Sequence, residues 1–370
     1  MKLYLLLLSP PVVARAYQTP IPGGAVFHIP LVTRRALEAR RSLKTPERSG
    51  RVLERQKGKQ QQIDSLYQGY GTHYVDLWVG TPPQRQTVIV GTGSGAIAFP
   101  CSECTVCGEL HHTDSYFIEA DSTTFMKVPC GECKFGRCAN SVRAPDSNLM
   151  DECGMQEYYH EGSGWKAFES TDITYAGGPH DKLQALHPEH NPQTEDDIDP
   201  LRASSFSFNL TFGCQTYTSG LFSTQLADGI MGMDNVAKSF WSQAYENGMI
   251  DKKSFSLCLS RQDEVSPQGT EAGALTMGGT DKRLHTSPMV YCYLEPGSEF
   301  VIDMRKIHLR QGGGGDSAMS SNPSLRVLSF NYTGRAGEES TRGKKVSIDS
   351  GTTDTYLTRE IAPAFQEAWK

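Results

Sequence analysis

Val346-Ser347-Ile348-Asp349-Ser350-Gly351-Thr352-Thr353-Asp354-Thr355-Tyr356-Leu357 is the stretch on which the reading of this chain turns. A short strand-like run enters an aspartate, a small hydroxyl residue and a glycine make a tight turn, and hydroxyl and apolar residues leave it. A bare Asp-Ser-Gly is ordinarily a surface Asx-turn. The apolar flanks argue instead for a turn held at the end of a buried strand, where a carboxylate is costly unless its hydrogen bonds are met.

The pattern recurs earlier. Thr87-Val88-Ile89-Val90 is a β-branched run, and Gly91-Thr92-Gly93-Ser94-Gly95-Ala96-Ile97-Ala98-Phe99 follows it, so strand, small-residue turn and apolar exit repeat in order without the acid. The segment 91–96 also satisfies G-x-G-x-x-A, a dinucleotide fingerprint. That reading fails because Phe99-Pro100-Cys101 follows where a Rossmann loop must open a helix. Two such turns resemble the pepsin-like aspartic peptidases, in which each of two lobes supplies one Asp-(Thr/Ser)-Gly loop. The resemblance runs from about Tyr67 to the end and implies an all-β, bilobal fold. It puts Gly91 at the place of the family's first aspartate and Asp349 at the second.

The chain has 370 residues, 38% of them hydrophobic, with 36 Gly and 20 Pro, which suits a turn-rich body with one large or two medium cores. Met1-Lys2, the mostly apolar Leu3 to Val13 and Ala14-Arg15-Ala16 describe a signal peptide over 1–16. No later window has the apolar length of a membrane span. Between Val32 and Gln60 ten Lys and Arg stand against three Asp and Glu, although the whole chain carries −6. A basic segment before an acidic body suggests electrostatic docking. In the resembled family this is the propeptide, here 17–66; a solvated linker is the plainer alternative. Secretion disfavours nucleic acid as a partner.

Tyr67 to Gln84 reads as a strand and a Gly80-Thr81-Pro82-Pro83 turn returning towards Val88, like the hairpin before the family's first catalytic loop. Seven cysteines lie between 101 and 153: Cys101, Cys104, Cys107, Cys130, Cys133, Cys138 and Cys153. Cys214 makes eight, and Cys258 and Cys292 complete the ten. The signal peptide and the acceptors Asn209-Leu210-Thr211 and Asn331-Tyr332-Thr333 favour disulfides over zinc, with pairing undetermined. The spacing is similar to the cysteine-rich insertion of nepenthesin-type and plasmepsin V-like enzymes. Tyr158-Tyr159-His160-Glu161-Gly162-Ser163-Gly164-Trp165 reads as a hairpin tip. It resembles the family's flap over substrate, which assigns Tyr159, Gly162 and Ser163 there.

Residues 177–205 read as a long surface loop and Ser239 to Ile250 as an amphipathic helix; Ala227-Asp228-Gly229-Ile230-Met231-Gly232 resembles the strand closing the first lobe. The lobes are expected at 67–240 and 241–370. Since 139 residues separate Gly93 from Gly232 and 19 follow Gly351, the second lobe is expected to be cut short.

Two adjacent carboxylates share one proton, so one activates water while the other donates to the carbonyl oxygen. By resemblance, Asp349 is the surviving member, Thr92 and Ser350 grip across the lobes, and Gly93, Ser94, Gly351 and Thr352 support the loops. No metal or cofactor is called for. The expected function is a secretory-pathway aspartic endopeptidase, secreted or at an endomembrane or the cell surface, acting on peptides or proteins and covered by its own propeptide. A membrane anchor beyond Lys370 is left open. With Gly91 in place of the first acid this copy is expected to be inactive or nearly so. A peptide-binding pseudo-peptidase and a disulfide-rich structural protein are the alternatives.

Overall fold

The computed structural model describes residues 3–8, 62–69, 71–138, 152–177, 207–260, 271–281, 284, 288–304, 306–310, 325–329, 332–333, 339–340, 344–359 and 362–369. The cleavage pattern at Ala16, the basic segment to Gln60, all of the loop expected at 177–205 except Gly177, and Asn331 lie outside the described residues. No helix among those described is long and apolar enough to cross a membrane.

Strands dominate, as the turn-rich composition leads one to expect. In chain order they begin β1 (Leu3–Leu8), β2 (Gln62–Gln68), β3 (His73–Val79), β4 (Gln84–Gly91), β5 (Ile97–Pro100), β6 (Met126–Lys127) and β7 (Arg137–Cys138). They continue with β8 (Cys153–Tyr158), β9 (Gly164–Ala176), β10 (Phe208–Ser219), β11 (Gly229–Gly232), β12 (Phe255–Ser260) and β13 (Glu271–Met277). All of these belong to one 13-stranded sheet. Within it β3, β4, β11, β5, β10 and β9 pair in turn, and β9 pairs back onto β3 through Leu77 and Ala176, which closes a barrel. Closure removes the strand edges that an open sheet would leave unpaired. Strand β2 starts at Gln62, inside the segment read as propeptide-like, and pairs with β13.

The β-branched run at 87–90 is buried on both faces, which is why it lacks the polar alternation of a half-exposed strand. Inside the barrel Phe99 stacks on Phe212 with centroids 4.6 Å apart, and Phe117 meets both rings edge-on. Each such buried side chain contributes about 1.5–3 kcal/mol relative to exposure. Strand β11 lies parallel to β4, with Gly229 opposite Val88 and Gly232 opposite Gly91. A Cβ at Gly232 would stand 2.4 Å from the carbonyl carbon of Gly95, so only glycine allows that approach.

Eight cysteines are paired: Cys101–Cys214, Cys104–Cys107, Cys130–Cys138 and Cys133–Cys153. The buried carboxylate of Glu169 organises the insertion between them, accepting the amide hydrogens of Lys134 at 2.8 Å, Phe135 at 3.0 Å and Gly136. The two remaining disulfide candidates depart from expectation, since both are free thiols. Cys258 is buried on β12, whereas Cys292 is exposed in the irregular segment 288–300. A disulfide needs its two Cβ atoms about 3.5–4.5 Å apart, and a thiol inside the core and one in solvent do not share such a place.

The helix expected over 239–250 is α1 (Phe240–Glu246). It stops early because Gly248 takes a left-handed φ of 71° and its amide returns to Tyr245 O at 2.9 Å. Its first five residues are buried, so it is not amphipathic there. Gln243 explains part of this, since its side-chain amide accepts Thr211 N and donates to Thr211 O, each at 2.9 Å, and so completes strand β10.

Beyond β13 come β14 (Val301–Met304), β15 (Lys306–Arg310), β16 (Leu325–Ser329), β17 (Tyr332–Thr333), β18 (Glu339–Ser340) and β19 (Lys344–Ser347). Strand β14 pairs with β19, β15 with β16, and β17 with β18. Helix α2 spans Ala362–Trp369. Phe300, fully buried, packs edge-on against Phe255, and its carbonyl accepts Ile348 N at 3.0 Å, which carries β19 and the turn after it onto the main core.

Asp228, just before β11, is buried and accepts Thr87 N at 2.5 Å, Thr87 Oγ1 at 2.7 Å and Asp114 N at 3.0 Å. Burial, followed by the neighbouring Asp114 carboxylate, raises its pKa well above the usual value of 3.8; Asp114 itself pairs with Arg85 at 2.7 Å. A raised carboxyl pKa contributes stability that is full below the unfolded value and is lost as pH rises through the folded one. Asp228→Asn is therefore expected to flatten the fall in stability from acid towards neutral pH. Urea midpoints across that range check it, the slope being the readout; an unchanged slope would refute the assignment.

Candidate active site

The two turns meet. Strand β4 delivers Gly91 and the loop 92–95, and β19 delivers Ile348 and the loop 349–352. Thr92 is buried, and its hydroxyl donates to Ile348 O at 2.8 Å while accepting Ser350 N at 2.9 Å. From the other side Ser350 Oγ donates to Val90 O at 2.5 Å. Each loop thus holds the backbone of the other through a hydroxyl. Thr92→Ala leaves Ser350 N–H and Ile348 O without this partner and is expected to cost about 1–3 kcal/mol. Denaturant unfolding checks it, with Thr92→Ser expected to recover most of the loss.

Asp349 lies at the centre and is half-buried. Its Oδ1 accepts Gly351 N at 2.8 Å and Gly93 N at 2.9 Å, and its Oδ2 accepts Thr352 Oγ1 at 2.5 Å. A Cβ at Gly93 would stand 2.6 Å from Asp349 Oδ2, so glycine there admits the carboxylate. Gly91 is close by: a Cβ built on it lies 3.9 Å from Gly351 Cα, 3.4 Å from Ile230 Cδ1 and 3.7 Å from Ile230 Cγ1. Those are ordinary contacts, and its φ is not left-handed, so the backbone at 91 accepts a Cβ.

The hairpin β8–β9 carries Tyr159 over this loop. Tyr159 N donates to Ser163 O at 2.8 Å and Gly162 N to Tyr159 O at 3.0 Å, with Gly162 at a φ of 99°. Tyr159 OH donates to Ser94 Oγ at 3.4 Å and accepts Trp165 Nε1 at 3.4 Å, and its ring lies 5.2 Å from that of Phe222. Burial raises the phenol's pKa above its usual 10.0. Ser163 is buried and accepts Leu221 N at 2.9 Å, which anchors the base of the hairpin. Sequence reasoning does not single out Trp165 or the Glu157–Lys238 ion pair at 3.1 Å. The one available signal is for Trp165, whose indole N–H needs a partner once buried. Asn209 is exposed on β10.

A closed barrel with two interlocked strand-end loops defines a pepsin-like scaffold. Residues 73–279 match the family described as Xylanase inhibitor N-terminal, and residues 204–370 match Eukaryotic aspartyl protease. The chain belongs to the pepsin-like aspartic peptidase family. It is 30% identical to aspartic protease 5 of Toxoplasma gondii over 59% of this chain and 20% of that protein. It is 24% identical to plasmepsin V of Plasmodium falciparum over 57% of this chain and 30% of that protein. With nepenthesin-1 of Nepenthes gracilis it shares 24% over 79% of this chain and 54% of that protein. The alignments thus take in a fifth to about half of these relatives' lengths.

Proposed function

We propose that the chain is a secretory-route aspartic endopeptidase scaffold whose catalytic pair is reduced to Asp349, so that it receives peptides while hydrolysing them slowly or not at all. The observation that carries this is the donor set around Asp349. Oδ1 takes the amide two residues on, at Gly351, and Oδ2 the hydroxyl three residues on, at Thr352. Applied to position 91, the same offsets select Gly93 N and Ser94 Oγ. Gly93 N instead turns to Asp349. The frame for two carboxylates is built, and one carboxylate receives donors from both turns.

In this reading Asp349 takes the proton of the attacking water, Thr92 and Ser350 fix the distance between the turns, and Tyr159, Gly162 and Ser163 close over the peptide. A single carboxylate cannot at once accept the water proton and donate one to the carbonyl oxygen. Four disulfides support an oxidising route. The basic segment 17–66 as a covering propeptide, the lobe division near 240 and glycans at Asn209 and Asn331 belong to the same proposal. The match to a family described as a xylanase inhibitor supports a second reading, in which the fold binds without cutting. Peptide-library digestion by the unsubstituted chain beside Gly91→Asp separates them: hydrolysis confined to the aspartate form supports the first, and inert but peptide-binding forms of both support the second.

A further inference from the structure

We propose that Lys238 is a positioning residue for the hairpin that carries Tyr159: its ion pair with Glu157 fastens that hairpin to the segment holding the Gly91 turn, and the hairpin opens by breaking it. This deepens the reading of the hairpin as a cover over bound peptide and rests on that reading. The clasp begins at the first turn. Met233 N donates to Gly91 O at 2.8 Å and Asp234 N to Ser94 O at 2.9 Å, so the chain leaving β11 holds the backbone of the turn 91–94. A Cβ at Gly95 would stand 2.1 Å from Val236 Cγ2 and 3.3 Å from Lys238 Cε, so the glycine after the turn makes room for this segment and for the lysine's stem. The lysine starts from a fixed point, because Gln243 Nε2 donates to Lys238 O at 3.0 Å from within α1.

From there Nζ reaches both carboxylate oxygens of Glu157, at 3.1 and 3.5 Å. Glu157 stands opposite Trp165 in the β8–β9 register and two residues before Tyr159. Trp165 donates to Tyr159 OH and Tyr159 to Ser94 Oγ, so the hairpin meets the first turn by two routes, one aromatic and one ionic. The two charged side chains are 30% and 25% exposed, which leaves the pair only partly screened and lets it separate without stranding a charge in the core. Among the described residues no other ion pair joins β8 or the tip 159–163 to the body.

Hydrogen exchange of the full chain is followed over residues 155–165 with β4 as internal reference, since local opening exposes amides while the core stays closed. Lys238→Met keeps the stem against Gly95 and removes the charge, and Glu157→Gln removes the charge on the other side. Each is expected to speed exchange in 155–165 by about 2- to 5-fold, the range of a partly exposed ion pair, and to leave β4 unchanged. Lys238 also stands near Asp234, so the double substitution isolates the pair: its effect should match a single rather than the product of the two. At about 1 M salt, where screening acts within about 3 Å, the unsubstituted chain should approach the singles. In a Gly91→Asp background, Lys238→Met should raise KM for peptides by a similar factor while kcat holds, as loss of uniform binding does. Exchange that moves in neither single, moves equally in β4, or rises in the double by the product refutes the clasp whatever Gly91→Asp does. If exchange responds as expected while KM does not, the clasp stands and the reading of the hairpin as a cover falls. If Gly91→Asp is inert, the peptidase reading falls and exchange alone decides the clasp.

Discussion

Gly91→Asp is expected to raise peptide hydrolysis by about 10²–10⁴-fold, the usual contribution of an acid–base group. The new Cβ meets only ordinary contacts and φ there is not left-handed. Its carboxylate should recover Gly93 N–H from Asp349 and take the Ser94 proton, restoring at 91 the arrangement that Gly351 and Thr352 make at 349. The rate should follow an acidic bell in pH, whose two limbs belong to the pair and not to either residue. Gly91→Asn is the control: it has the same shape and cannot share a proton, so it should stay at the level of glycine. A folded Gly91→Asp chain that stays inert from about pH 3 to 7 would transfer the site to the binding reading.

Removing the Cys101–Cys214 bridge is expected to destabilise the chain by about 2–5 kcal/mol. The bridge joins residues 113 apart in sequence, tying the end of β5 to β10 beside the Phe99–Phe212 stack. In the chain-entropy account a loop of this length restricts the unfolded state far more than the Cys104–Cys107 bridge, whose partners are 3 apart. The double substitutions to Ala should therefore differ, with the larger fall in urea midpoint at Cys101–Cys214. Equal losses would show that local packing rather than chain restriction sets the contribution.

Much of this is legible from residue order alone. Gly91 and Asp349 fall in equivalent turns because strand, small-residue turn and apolar exit is a local pattern, fixed by the conformational preferences of a dozen consecutive residues. Disulfides are preferred to metal from compartment, again without the fold. Pairing is not legible: eight cysteines allow about 105 connectivities, and only the register of β5 against β10, which sets Phe99 opposite Cys214, brings Cys101 two residues further on to a Cα–Cα distance of 5.4 Å from Cys214. The same holds for Cys258 and Cys292, whose burial and exposure depend on where β12 and the segment after Pro288 lie. The helix at 240–246 is shorter than its pattern because Gly248 acts through its φ, and its burial depends on Gln243 completing β10 from a distance. Sequence thus determined the two turns and the glycine that stands at 91 in the first of them. Tertiary structure alone decided that Gly93 N–H serves Asp349, since that bond joins residues 256 apart and follows from the hydroxyl grip that brings the turns together.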